Sequence, residues 1–169
     1  MAEEKKNTRA NKKEESASKD FEEKVLFINR CAKVVKGGRR FSFSALVIVG
    51  DGKGAIGMGF GKAKEVADAV SKAVVDGKKS MRRFEIEGDT IPHDVTATAD
   101  GATVIIRAAE KGTGIVAGSQ IRAVLEMCGL KDVVAKSLAG NNPSNQVRAT
   151  IKALASLQNK KKTLEARMA

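Results

Sequence analysis

The chain has neither tryptophan nor tyrosine, and its 169 residues include one histidine, two cysteines and two prolines. A lone histidine, His93, excludes a His-based metal cluster and a paired His acid–base system. Cys31 and Cys128 lie far apart without Cys-x-x-Cys spacing, so they read as reduced thiols rather than a disulfide or zinc framework. No apolar run approaches the roughly 20 residues that cross a bilayer. The N-terminus carries no apolar stretch of signal-peptide type. The expectation is a soluble, cytoplasmic protein with no membrane association. Acidic residues are the other shortfall: 20 Asp and Glu stand against 31 Lys and Arg, for a net charge of +11. Such an excess points to a polyanionic partner, most simply nucleic acid, and says nothing about fold. At 42% apolar residues the chain can build a core, in one ordinary domain or two small ones.

The charge is segregated. Residues 1–20 sum to +1, residues 21–84 to +8, residues 85–156 to −1 and the last thirteen to +3. All six phenylalanines (Phe21, Phe27, Phe41, Phe43, Phe60 and Phe84) fall in the basic block. This shift argues for two domains with different roles, divided near Glu85–Pro92, where Gly88-Asp89 is a turn signal and Pro92 restricts the chain. Expected divisions are a disordered tail at 1–20, a basic domain suited to nucleic acid at 21–86, a second domain at 92–157 and a basic tail at 158–169. The N-terminal tail has too little apolar surface to offset the entropy of ordering it.

Within the basic block, Val25–Ile28 and Cys31–Val35 carry strand-forming residues. Lys36-Gly37-Gly38-Arg39-Arg40 reads as a cationic loop whose glycines let a phosphate approach the backbone. Phe41–Val49 follows as a strand with Phe41, Phe43, Ala45, Val47 and Val49 on one face. Gly50–Gly54 supplies Asp-Gly hairpin chemistry, and Ala55–Phe60 returns. Gly57 and Gly59 in that strand mark a bulge or a close backbone approach. A helix is expected from about Lys62, with Val66, Val70, Ala73, Val74 and Gly77 buried and Lys64, Lys72, Lys79 and Arg83 outward. Stacking of bases on the phenylalanines is the alternative to core packing, and burial habits favour the core.

The glycine motifs are poor evidence for an enzyme. Gly52-Lys53-Gly54-Ala55-Ile56-Gly57 has the letters of a dinucleotide fingerprint, but a second strand, not a helix, follows it. Gly61-Lys62 lacks the hydroxyl residue and the preceding glycine of a phosphate-binding loop. Gly112-Thr113-Gly114-Ile115-Val116-Ala117-Gly118 joins a strand (Thr103–Ala108) to a helix (Ser119–Cys128). It could hold an anion on free N–H groups, or simply make a tight connection. No nucleophile has a base beside it. No catalytic centre, cofactor site or metal site is expected.

The second half reads as a hairpin, Val95–Ala99 and Thr103–Ala108, around Asp100-Gly101. A helix capped by Ser119 and ended by Gly129 follows, with Ile121, Val124, Leu125 and Cys128 buried. A short strand, Val133–Ala135, precedes a last helix opened by Asn142-Pro143, with Val147, Ile151, Leu154 and Leu157 buried. The fold class is α+β, two layers, with a near-neutral second domain suited to protein contact.

The run from Gly38 to Gly54 (GRRFSFSALVIVGDGKG), continuing through Gly57 to Val66 (GMGFGKAKEV), closely resembles the signature of the bacterial small-subunit ribosomal protein S-five family. Gly112–Gly118, Arg122–Glu126 and Asn142–Thr150 (NPSNQVRAT) match it in the same order. This resemblance implies an N-terminal double-stranded-RNA-binding-like domain of sheet plus helix. It also implies a C-terminal two-layer α/β domain with a left-handed crossover, against the roughly 98% rule. It further implies rRNA binding, small-subunit assembly and contacts with ribosomal proteins S-four and S-eight. With S-three and S-four such a protein lines the channel through which mRNA enters, and it influences decoding accuracy. The glycine loop at Lys36–Arg40 matches the family loop reaching rRNA near the spectinomycin site. The expected rRNA-contacting set is Arg30, Lys33, Lys36, Gly37, Gly38, Arg39, Arg40, Lys53, Lys62 and Lys64. Gly112, Gly114 and Arg122 are expected to face S-four. No homo-oligomer is expected. The alternative reading is a double-stranded-RNA-binding regulator outside the ribosome.

Overall fold

The computed structural model describes residues 21–84, 86 and 88–158. The tail expected at 1–20 and most of the one expected at 158–169 lie outside the described residues.

The first half is a four-stranded antiparallel sheet in the order β1 (Glu22–Val35), β2 (Gly38–Gly50), β3 (Ala55–Ala63), β4 (Arg82–Arg83). The two strand-like segments at 25–28 and 31–35 form one strand, because a bulge between Val25 and Phe27 absorbs Leu26 and keeps the ladder running. Helix α1 (Val66–Lys79) joins β3 to β4. It starts later than expected because Gly61, Lys62 and Ala63 continue the β2 ladder opposite Ala45, Ser44 and Phe43.

Gly57, Gly59 and Gly61 share one face of β3, and no bulge accompanies them. A β-carbon at each would overlap a backbone oxygen of α1, those of Gly77, Ala73 and Ala69 respectively. Close backbone approach is therefore their role. It rotates the helix relative to expectation: the buried stripe is Ala69, Ala73, Val74 and Gly77, while Val66 is exposed and Val70 half-buried.

β2 is covered on both faces. Ala45, Val47 and Val49 pack on α1, whereas Leu46 and Ile48 join a second cluster built largely by the other half of the chain. An unbroken apolar run is the pattern of a doubly buried strand.

The second half is a four-stranded sheet in the order β5 (Val95–Ala99), β6 (Ala102–Ala108), β8 (Val133–Ala139), β7 (Ile115–Val116), with α2 (Ser119–Cys128) and α3 (Pro143–Ala155). β7 pairs parallel with β8 and the other pairs are antiparallel. The molecule is α+β. The β5–β6 turn is the expected Asp100-Gly101, with φ of 47° and 82°, the left-handed pair of a type I′ turn. Gly118, not Ser119, is the N-cap of α2, and the Ser119 hydroxyl turns to Gln120 instead. Asn142 caps α3 by accepting from the Ser144 amide, with Pro143 next. Val147 and Leu154 are buried as expected, but Ile151 and Leu157 only half so; Ala149, Thr150 and Ala153 fill that face.

The β2–β3 loop seats on the end of α2. Gly52 and Gly54 amides donate to the Met127 and Cys128 carbonyls at 3.2 and 3.0 Å. A helix C-terminus has carbonyls without intrahelical partners, and the loop supplies donors to them. The segment after β4 is anchored as well: Ile91 is buried, and the Asp89 carbonyl accepts from the Lys131 and Asp132 amides. Lys131 also pairs with the Asp89 carboxylate at 2.9 Å, which lowers the pKa of Asp89 and raises that of Lys131.

Candidate nucleic-acid interface

β3 pairs with β2 only from Phe43 onward. Beyond that point β1 and β2 continue alone, pairing through Cys31↔Ser42 to Val35↔Gly38, a two-stranded arm about 15 Å long. The cationic loop expected over Lys36–Arg40 is in fact a two-residue turn, Lys36-Gly37, and Gly38, Arg39 and Arg40 already belong to β2. Strand-forming residues on both sides carry the ladder to the tip, with Gly38 at φ 141° turning the chain into β2.

Pleating sends alternate side chains to opposite faces. Arg30 and Arg39 lie on the face that α1 covers nearer the core, Lys33 and Arg40 on the other, and Lys36 at the tip. Lys33 and Arg40 are directly opposite each other across the ladder, a placement that costs stability for like charges. Residues 29–42 contain five cations and no carboxylate. Among the described residues, none of the five takes part in an ion pair, whereas Lys24 pairs with Glu126 and Lys78 with Glu23.

Lys62 sits at the base of the arm, exposed, opposite Ser44 and on the Lys33–Arg40 face. Lys64 follows just past the end of β3. Lys53 does not join this group. It lies in the loop at the far end of β2, about 35 Å along the strand from Arg40.

The phenylalanines divide, contrary to the expectation that all are core. Phe84 is buried, and Phe21 and Phe43 are half-buried against the α1 cluster. Phe41, Phe27 and Phe60 are 47%, 45% and 54% exposed. Phe41 lies beyond the last β3 residue, so among the described residues no third strand or helix covers it. The Arg30 guanidinium lies over its ring, 4.1 Å from the centroid.

The glycine loop at 112–118 has its amides occupied. Gly112 and Gly114 both donate to Oδ1 of Asp132, at 3.0 and 2.9 Å. Asp132 is itself buried. The internal carboxylate takes the place an external anion would need, so the loop is a tight connection. Arg122 is exposed on α2. The glycines at 52–57 likewise offer no pyrophosphate cradle: the Gly52 and Gly54 amides are taken by helix carbonyls, and Gly57 lies within the β3 ladder.

His93 is exposed, and its Nε2 accepts from the Gln158 amide. Cys128 is buried and Cys31 half-buried against the Ser44 hydroxyl. No group of three or more His, Cys, Asp or Glu among the described residues could hold a metal ion. Among the described residues, no helix is long and apolar enough to cross a membrane.

One grouping of cations escapes sequence reading. Arg82 of β4 and Arg148 and Lys152 of α3 line one open cleft between the halves, over Met58 and Ile151. Arg148 and Lys152 are spaced i, i+4 and so share a helix face, but only the tertiary packing brings Arg82 to them.

Comparison with known proteins gives two family matches. "Ribosomal protein S5, N-terminal domain" covers residues 21–85, and "Ribosomal protein S5, C-terminal domain" covers residues 97–167. The chain is 57% identical over 153 residues to small ribosomal subunit protein uS5 of Protochlamydia amoebophila, covering 90% of this chain and 92% of that one. It is 56% identical over 148 residues to the Chlamydia felis protein of the same name (87% and 90%). With the Chlamydia pneumoniae protein identity is 56% over 145 residues (85% and 88%).

Proposed function

This chain belongs to the ribosomal protein S5 family and is a structural, non-enzymatic constituent of the small ribosomal subunit, and from that premise we propose that the β1–β2 arm is its main rRNA contact. The observation that carries this reading is the Lys33–Arg40 opposition in a carboxylate-free arm. A ladder holding two cations face to face without a counter-charge is relieved when a phosphate binds between them. Arg30, Arg39 and Lys36 serve the other face and the tip. Gly37 and Gly38 have open space where a β-carbon would be, so a phosphate can reach the backbone there. Lys62 and Lys64 extend the basic surface to the base of the arm. Lys53 serves a separate contact at the opposite end of the sheet.

The near-neutral second half is the protein-contact side. Asp132 holds the Gly112–Gly114 loop in one conformation beside α2, so that the loop and Arg122 form a fixed surface for ribosomal protein S-four. Ribosomal protein S-eight is the second protein neighbour. S-three and S-four complete the lining of the channel through which mRNA enters, and through this surface the protein influences decoding accuracy. The family resemblance supports these partners. The domain limits, 21–86 and 92–157, belong to the same reading.

Filter binding of the full chain to small-subunit rRNA tests the arm. Arg39→Ala with Arg40→Ala should weaken binding and reduce the slope of log K against log salt by about 0.7–0.9 per lost phosphate contact. An unchanged slope removes the arm from the interface. Sucrose-gradient sedimentation separates this reading from a regulator outside the ribosome, which would leave the small-subunit peak at high salt. Arg122→Glu should alter a miscoding reporter, and normal miscoding with normal assembly would remove the S-four assignment.

A further inference from the structure

We propose that the arm does more than neutralise phosphates, and that its helix-side face is a stacking site for an unpaired nucleobase, formed by Phe41 and Arg30. This rests on the arm being the rRNA contact. The register puts Arg30, Ala32 and Val34 on that face, opposite Phe43, Phe41 and Arg39. Phe43 pairs with Ala63, the last residue of β3, and packs on the α1 cluster. Phe41, two residues further out, has the same pleat and, among the described residues, no strand or helix over it, only the Arg30 side chain.

Three observations turn this exposed ring into a site. Phe41 stays 47% exposed even with Arg30 upon it. Its cross-strand neighbour is Ala32, too small to fill the sheet surface beside the ring. Guanidinium groups stand at both ends of the shelf, Arg30 toward the core and Arg39 toward the tip.

An apolar shelf about one ring wide, bracketed by planar cations, matches a nucleotide in two ways. The base offers a π-face to phenylalanine or guanidinium, and its phosphates meet the flanking charges. Phosphate binding alone requires no ring, and an exposed phenylalanine is unfavourable in water. A base inside a duplex has both faces occupied, so the ligand is a nucleotide from a loop, bulge or end. The two faces of the arm thus bind different parts of the RNA. Lys33 and Arg40 take backbone phosphates, while Phe41 and Arg30 take a base.

The test uses the full chain and two RNAs of equal charge, a perfect duplex and a hairpin with 2-aminopurine in its loop. Phe41→Leu keeps an apolar side chain over Ala32 but removes the π-face. It should lower affinity for the loop RNA by roughly 5- to 100-fold and change duplex affinity by less than about twofold. Arg30→Lys keeps the charge and loses the planar group, and should act in the same direction. Bound 2-aminopurine should be quenched by the parent protein and recover in both variants. Equal losses on the two RNAs would mean that Phe41 only stiffens the arm, and no loss on either would remove the ring from binding; each overturns the proposal. Failure of the arm itself reads out separately, as a salt slope unmoved by Arg39→Ala with Arg40→Ala. If that slope falls while Phe41→Leu does not discriminate, stacking alone is wrong.

Discussion

Gly59 lies so close to α1 that a β-carbon added to it would overlap the carbonyl oxygen of Ala73. With Gly57 against Gly77 and Gly61 against Ala69, the contact between strand and helix is backbone on backbone. It fixes α1 against β3, the neighbour in the sheet of β2, the strand that runs out into the arm. The helix therefore packs at the base of the arm, against Phe43 and the β3 glycines, while the tip extends beyond it.

Gly59→Ala must push the helix away. The expected cost is about 1–3 kcal/mol, the range for overpacking a filled interior, read as a lower urea midpoint. Gly37→Ala is the matched control. Gly37 has open space around it and no left-handed φ, so its midpoint should move by less than about 0.5 kcal/mol, as for ordinary surface substitutions. Equal effects would mean that the glycine row is not the contact.

Elements with local chemistry of their own are legible in the sequence: the Asp100-Gly101 turn, the Asn142-Pro143 helix start, and Gly129 ending α2 at φ 93°. What depends on distant partners is not. Leu46 and Ile48 reveal a second buried face only once the other half covers it. Phe41 reads as core by alternation, and is exposed because β3 stops at Ala63. For the interface, residue types are legible and arrangement is not. Glycines beside cations suggest a loop at 36–40, yet strand pairing continues to the tip, because Val34 and Val35 favour it and two residues suffice to turn. The separation of Lys53 and the opposition of Lys33 to Arg40 both follow from register, which no local pattern states.

Asp132 is the single acceptor for two loop amides, Gly112 and Gly114. Asp132→Ala should cost about 1–3 kcal/mol, because amides that had a charged acceptor lose it. Hydrogen exchange at Gly112 and Gly114 should accelerate, with the β1–β2 amides unchanged. Asp132→Asn retains one acceptor oxygen and should lie between the two. Loop amides that stay protected in Asp132→Ala would show that something other than this carboxylate holds the loop.

Cys128 sets a pH dependence at the alkaline end. Burial, with a smaller push from the Asp51 charge, raises its thiol from 9.0 to about 12. In the unfolded chain the thiol ionises near its ordinary value, while the folded chain keeps the proton until about 12. Between these values the unfolded state binds fewer protons, so stability falls as pH rises; below about pH 9 this contribution is constant. Cys128→Ala should lower stability at neutral pH through the lost packing, yet flatten the decline measured from about pH 9 to about pH 11. An identical alkaline slope in the variant would exclude the thiol as its source.

Lys33 and Arg40 separate stability from binding. Each contributes a positive charge to a cross-strand pair that no carboxylate among the described residues neutralises. Lys33→Glu converts the pair to opposite charges and should stabilise the arm by about 0.2–1 kcal/mol, seen as slower amide exchange at Val34 and Val35. The same change removes one phosphate partner and adds repulsion, so rRNA affinity should fall and the salt slope decrease by about one unit or more. Lys33→Gln, which relieves the repulsion without reversing it, should show both effects at smaller size. An arm that becomes more stable while binding weakens would mean that the unfavourable pairing is kept for the ligand. Stability and affinity falling together would instead make Lys33 a structural residue of the hairpin.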